Sequence, residues 1–179
     1  TDIDWSQKIT VDFEDAAGAK VFYGVYNNGN YMNEGMYFVS DDPAGAHSGK
    51  GYYRMENVGM WTAQWYRRFK FYSPDTDGNQ IYLEPFGVYK VGFWLKLEKA
   101  GSSDVMLATY DNLDHITSYS KSSGINLQDS EQMNNIGKWV YYEDTITTGE
   151  SVETLGMILA GGWLTASVDD ITVTKLKEL

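Results

Sequence analysis

The strongest constraint in this chain is a hydrophobic alternation with a period of two, while the 3.6-residue period of an amphipathic helix is nearly absent. Nine segments read as strands: Lys8–Glu14, Ala19–Tyr26, Tyr31–Val39, Gly51–Val58, Val88–Glu98, Asp104–Tyr110, Gly137–Thr147, Thr154–Ala160 and Ala166–Lys175. They are short, rich in Val, Ile, Tyr, Phe, Trp and Thr, and bounded by turn residues. The turns fall at Asp15–Gly18, Asn27–Asn30, Asp41–Gly49, Pro74–Asn79, Lys99–Asp104 and Ser120–Gly124. Asp129–Asn135 has room for a single helical turn. Strands at this spacing without intervening helices predict an all-β chain, an antiparallel sandwich or barrel. With 179 residues and neither repeat nor low-complexity linker, residues 1–179 are expected to form a single domain.

Three strands can be given faces, because successive side chains point to opposite sides. Val91, Phe93, Leu95 and Leu97 share one side, and Gly92, Trp94 and Lys96 the other. Tyr53 and Met55 oppose Tyr52, Arg54 and Glu56, and Val11 and Phe13 oppose Asp12 and Glu14. The first set in each case is expected in the core. The second set puts large rings and charges on a wet face.

Charge and composition exclude several functions. Fourteen Lys and Arg stand against twenty-five Asp and Glu, a net charge of −11, so neither a nucleic acid nor an anionic membrane is an expected partner. The absence of cysteine removes disulfides, Cys–zinc sites and thiol nucleophiles, and two histidines leave little for a triad. No apolar run approaches the length of a membrane span. The first residue is not Met, which suits a processed form or excised module. Fourteen Tyr and six Trp supply ample surface to bury.

Two constellations carry chemistry. The first is acidic. Asp12 and Glu14 stand near the start, and Asp169–Asp170 interrupts the apolar strand Ser167–Val173 near the end. Adjacent carboxylates there repel and are costly to desolvate without a cation or donors. If first and last strands pair, the carboxylates converge; hard oxygens suit Ca²⁺, and the loop Ala46–Lys50 offers backbone carbonyls. The alternative is an ordinary solvated strand end.

The second constellation is aromatic. Trp61 and Trp65 are an even number apart, so in a strand they share a side, and Gln64, Tyr66 and two arginines stand beside them. Indole and phenol faces stack on the C–H faces of sugars, while Gln and Arg hydrogen-bond the hydroxyls between. Trp94 is assigned to an exposed face, with Tyr52, Arg54, Tyr110 and Trp163 as further candidates for a groove; Trp5 is a weaker one. The alternative for any of these rings is the core.

Two other patterns are set aside. Ser73–Asn79 followed by Glu84 matches part of an EF-hand loop, but a hairpin turn explains Asp77-Gly78-Asn79 better. Glu143 and Asp144 are neighbours in a strand, point to opposite faces and cannot flank one glycosidic bond.

Phe13-Glu14, Ala46–Tyr52, Tyr89–Lys96, Gly137-Lys138-Trp139 and Val168–Val173, in that order, resemble the β-sandwich carbohydrate-binding modules related to families 4, 9 and 22. The resemblance implies an antiparallel two-sheet β-sandwich of the galactose-binding-like jelly-roll kind. It also implies a structural Ca²⁺ held by Glu14 and Asp169, with Asp12 and the backbone of His47 and Lys50 nearby, and a packing role for Trp139. The expected function is non-catalytic binding of a neutral plant or microbial polysaccharide: a β-glucan, xyloglucan or xylan. The expected setting is a secreted or cell-surface bacterial protein, monomeric, with an appended glycoside hydrolase. Two alternatives stand beside it: a small jelly-roll hydrolase or lyase, and a structural or adhesive module of a surface protein.

Overall fold

The computed structural model describes residues 3–14, 25–27, 30–32, 36–58, 66–76, 79–100, 103–113, 115–119, 125–126, 134–161 and 164–179. In chain order the strands are β1 (Ile9–Val11), β2 (Val25–Asn27), β3 (Asn30–Met32), β4 (Met36–Val39), β5 (Tyr52–Val58), β6 (Tyr66–Lys70), β7 (Tyr72–Ser73) and β8 (Asn79–Gln80). They continue as β9 (Tyr82–Leu83), β10 (Gly87–Ala100), β11 (Ser103–Tyr110), β12 (Ile116–Tyr119), β13 (Ile125–Asn126), β14 (Trp139–Thr147), β15 (Glu153–Gly161) and β16 (Leu164–Glu178). Among the described residues the helical structure is a 3₁₀ turn at Pro74–Thr76.

Two antiparallel sheets form the body. The first runs β14-β10-β16-β5-β4, with β1 also on β16; the second runs β12-β11-β15-β6, with β13 on β11 and β9 on β15. The all-β sandwich expectation holds. The core lies between the sheets, as the alternation predicts: Val91, Phe93, Leu95 and Leu97 are buried from the first sheet, with Val11, Phe13, Tyr53 and Met55. Val105, Leu107, Leu155 and Met157 meet them from the second. Trp5, one of the weaker binding candidates, packs edge-on against buried Tyr89, ring centroids 4.9 Å apart.

Several boundaries differ from the sequence reading. The Tyr31–Val39 segment belongs to two strands with different partners, β3 on β2 and β4 on β5. The first strand stops at Val11 because Phe13 takes φ 59°, a left-handed turn that ends pairing. Strand β6 carries Arg67, Arg68 and Lys70, charges that hid it from a hydrophobic pattern. Strands β9 and β12 are too short to show a period. Of the expected helical turn at Asp129–Asn135, the described part is Asn134 and Asn135, in a turn.

One detail of β16 positions the site. Strand β5 pairs with its start, Leu164–Val168, and β1 pairs with Ile171–Val173 on the same strand. Between those partners stands Asp169–Asp170. There β16 also bulges against β10: Gly92 faces Thr172 and Trp94 faces Asp169, so three steps on β16 match two on β10. Asp170 takes φ 47° in that bulge.

Candidate functional site

The bulge defeats strand alternation and aims two neighbouring carboxylates at one loop. Oδ2 of Asp169 accepts the backbone N–H of His47 at 3.0 Å and of Ser48 at 3.3 Å. Oδ2 of Asp170 lies 2.6 Å from His47 Nδ1 and accepts the Ser48 hydroxyl at 2.6 Å. The other end of that loop belongs to Glu14. Its carboxylate accepts Lys50 N–H at 2.9 and 3.0 Å and Gly51 N–H at 2.9 Å. Asp12 accepts the Glu14 N–H at 3.2 Å. The chain ends thus converge on residues 47–51, as the acidic constellation requires.

Close approach is built into the loop. A Cβ on Gly49, which has φ +61°, would run into the Glu14 carboxylate, and one on Gly51 would overlap the Phe13 carbonyl oxygen.

Asp169 is fully buried. Desolvation, with the charge of Asp170 beside it, pushes its carboxyl up to about 8, although three N–H groups support its oxygens. No lysine or arginine among the described residues forms an ion pair with Asp169 or Glu14. A buried carboxyl without a basic partner, beside a second acid on the same loop, offers hard oxygens, and a divalent cation could replace the proton that burial favours. Among the described residues no three acidic or histidine side chains form a ready-made cluster, so a cation would draw on carboxylates and loop carbonyls together. The His47 ring is engaged by Asp170 and Trp94, which leaves its backbone for that role. The Lys50 carbonyl already accepts the Asp42 N–H at 2.8 Å and keeps one lone pair.

The same loop changes the aromatic site. Trp94, Tyr52 and Arg54 stand, as predicted, on the outer side of the first sheet, with Lys96 and Ser167 in the row between Trp139 and Arg54. Residues 42–50 are fastened over that row. The Gly45 carbonyl accepts Lys96 Nζ at 3.0 Å and Trp139 Nε1 at 3.3 Å, Tyr52 donates its hydroxyl to Asp42 at 2.6 Å, and His47 stacks on Trp94.

Two expectations therefore fail. Tyr52 is 5 % exposed, and burial with the Asp42 bond pushes its phenol up to about 12, so it is not a sugar platform. Trp94 is half-buried and has one ring face covered by imidazole. Arg54 is held by Glu98 at 2.8 Å, with Glu56 at 3.8 Å. Trp139, expected in the core, is half-buried on the outer side of the first sheet, where it packs against His47 and Tyr52. The large ring left open beside Trp94 is Tyr141, 42 % exposed, at 5.4 Å between centroids.

Tyr110 lies on the opposite side of the molecule. It forms a second apolar cluster with Ala108 and Ile158, against which Met106 and Ile116 pack, apart from the main core. At 1 % exposure, with its hydroxyl donated to the Met157 carbonyl at 2.9 Å, it is the floor of that face and not a stacking ring. Lys70 Nζ sits 5.5 Å from its centroid. Thr154, paired with Tyr110, has a buried hydroxyl without a hydrogen-bond partner. The predicted single groove is thus divided. Trp94, Tyr52 and Arg54 share one face, Tyr110 another, and no residue pattern within one strand could tell the two sheets apart. Trp61, Gln64, Trp65 and Trp163 lie outside the described residues.

Neither a protein-family model nor a curated protein sequence matches the chain. Solved structures do match in shape. The CBM22-1 xylan-binding domain from Paenibacillus barcinonensis aligns over 96% of this chain and 95% of its own, with 13% identity and a TM-score of 0.57. The CBM22-1–GH10 modules of the Clostridium thermocellum endo-1,4-β-D-xylanase 10B, complexed with xylohexaose, align over 96% of this chain and 28% of theirs, with 11% identity and a TM-score of 0.56. A CBM4 structure aligns over 98% and 99%, with 16% identity and a TM-score of 0.50. At these identities the likeness is one of architecture: the chain has the β-sandwich fold of the carbohydrate-binding modules of families 22 and 4.

Proposed function

We propose that the chain is a non-catalytic carbohydrate-binding module that holds a neutral polysaccharide of the β-glucan, xyloglucan or xylan class against the outer face of its second sheet. The observation that carries the reading is the second apolar cluster. A sandwich needs one core, between its sheets, and Tyr110, Ala108 and Ile158 form a buried apolar floor on the far side of one of them, with partly buried Met106 and Ile116 packed against it. Strand β6, at the edge of that sheet, follows directly on the Trp61–Trp65 segment. The shared fold with a xylan-binding domain supports xylan within that class. The net charge of −11 favours a neutral glycan over a polyuronate.

Preformed rings cost little entropy to order, while each sugar contact is weak, so micromolar or weaker affinity is expected. An appended glycoside hydrolase would gain effective concentration at its substrate, and the setting proposed with it is a secreted or cell-surface protein. A structural Ca²⁺ belongs to the same reading. Glu14 and Asp169 would hold it, with Asp12 and the backbone of His47 and Lys50, and it would compensate the buried Asp169. Affinity electrophoresis in gels containing xylan, xyloglucan or mixed-linkage β-glucan tests the binding. Retardation by at least one, with no release of reducing sugar by the pure protein, is the expected result. Absence of retardation on all three, or sustained sugar release, overturns it.

A further inference from the structure

The turn between β9 and β10 places an aromatic ring where two local rules oppose it. Phe86 takes φ 54°, the left-handed region that favours Gly, Asn or Asp and that a bulky side chain rarely enters. Two backbone bonds clamp it there: Phe86 N–H donates to the Gly149 carbonyl at 2.8 Å, and the Phe86 carbonyl accepts the Leu179 N–H at 2.7 Å. The side chain is 51 % exposed and belongs to neither apolar cluster. Neither the turn nor the core therefore accounts for a phenyl ring at this position. A strained residue turned to solvent points to a contact made outside the chain.

The same two bonds bring three segments together: this turn, the connection from β14 to β15, and the end of β16. Each carries exposed apolar side chains. Val152 comes from the connection, and Leu176 and Leu179 from the end of the chain. Leu176 is turned out by a bulge: Val88 pairs with Lys177 and Tyr89 with Lys175, which leaves Leu176 without a register partner on β10. Together with Phe86 these side chains expose on the order of 400 Å² of apolar surface, the size at which a patch on a soluble protein marks a contact site.

The charges around the patch indicate what fits it. On the same segments Glu84, Glu150, Lys177 and Glu178 are exposed, while Lys175 bridges Glu84 at 3.0 Å and Glu178 at 2.9 Å. Three acids against two lysines leave this end almost neutral in a chain of net charge −11, so two copies repel least here. A rim of one sign would select an oppositely charged partner, whereas a rim of both signs can complement itself across a two-fold axis. A standard interface covers about 800 Å² on each partner, so an apolar centre of this size with its charged rim suits a modest, reversible contact.

We propose that this end of the sandwich, centred on Phe86, is the interface of a symmetric, reversible homodimer, in place of the monomer expected from the sequence. The proposal does not depend on the glycan reading and uses none of the residues of that face.

Sedimentation velocity of the intact chain, from about micromolar to several hundred micromolar, tests it. The expected mass rises with concentration from that of one chain toward that of two. Phe86→Asn keeps a residue that tolerates the left-handed turn and removes the ring. It should weaken association by about tenfold or more. Its melting temperature, read where the parent is monomeric, should stay level or rise. Leu176→Lys should also weaken association, and it serves if the first variant fails to fold. Tyr37→Ser, which removes an exposed ring from β4, should leave association unchanged. A monomer at every concentration, or association indifferent to both patch substitutions, would overturn the interface. So would an equal loss with Tyr37→Ser, or a Phe86→Asn monomer that melts well below the parent.

Discussion

The imidazole of His47 lies flat on the indole of Trp94, ring centroids 3.9 Å apart and planes inclined by 20°. The contact closes one face of the indole to a sugar. His47→Ala should raise acrylamide quenching of tryptophan fluorescence and cost about 1 kcal/mol of stability from the lost ring pair. Glycan affinity should stay within twofold of the parent. A large loss of affinity would return Trp94 to the binding site.

The reverse outcome is expected at Trp61 and Trp65. Trp61→Ala and Trp65→Ala should each weaken polysaccharide binding about tenfold, or ~1.4 kcal/mol, with the melting temperature nearly unchanged. Trp94→Ala should leave affinity intact and lower the melting temperature. Affinity electrophoresis and a thermal melt on the same three variants check the assignment.

Cation binding has a separate readout. If Glu14 and Asp169 hold Ca²⁺, chelation should lower the melting temperature, and saturating metal at a hundred times Kd should restore about 2.7 kcal/mol. Asp169→Asn should remove that sensitivity. Metal analysis of the protein before chelation covers an ion held too tightly to extract; no bound metal and an unchanged melt together would sink the site.

Gly51 allows the loop to approach the first strand. Gly51→Ala should destabilise the fold by about 2 kcal/mol or more, because its Cβ meets a backbone carbonyl oxygen that cannot rotate away. Gly137, at φ +81° with open space around it, should cost less on the same substitution. Denaturant melts of the two variants compare them.

Glu98 gives a pH signature. Its hydrogen bond to Arg54 holds the carboxyl below the ordinary value of 4.5. The unfolded chain therefore takes up this proton first, and the stabilisation is present above that ordinary value and lost as pH falls through the lower folded one. The pair is partly solvated, so about 0.2–1 kcal/mol is at stake. Glu98→Gln should flatten the acid limb of a stability–pH curve by that amount and leave neutral-pH affinity alone.

Alternation alone was enough to assign Val91, Phe93, Leu95 and Leu97 to the core, since a strand's pleat is local geometry that each residue obeys regardless of its partners. It placed Trp94 and Tyr52 on the other face with equal success. It could not say whether that face is open. Their cover is residues 42–50, and its fastening points, Lys96 and Asp169, come from strands remote in sequence. The meeting of the chain-end carboxylates beside the loop Ala46–Lys50 was legible, but that Asp169 and its neighbour Asp170 both reach that loop was not, because alternation sends neighbours to opposite sides. A bulge, opposite a junction of two partner strands, reversed that rule.

Single-strand patterning thus determined which side chains are inside and which outside, because a two-residue period needs no knowledge of the rest of the chain. Only the tertiary structure decided which outward rings share a surface, which are roofed by a loop and that Asp169 and Asp170 turn to the same loop. Those outcomes depend on the pairing of distant strands and on where that pairing breaks.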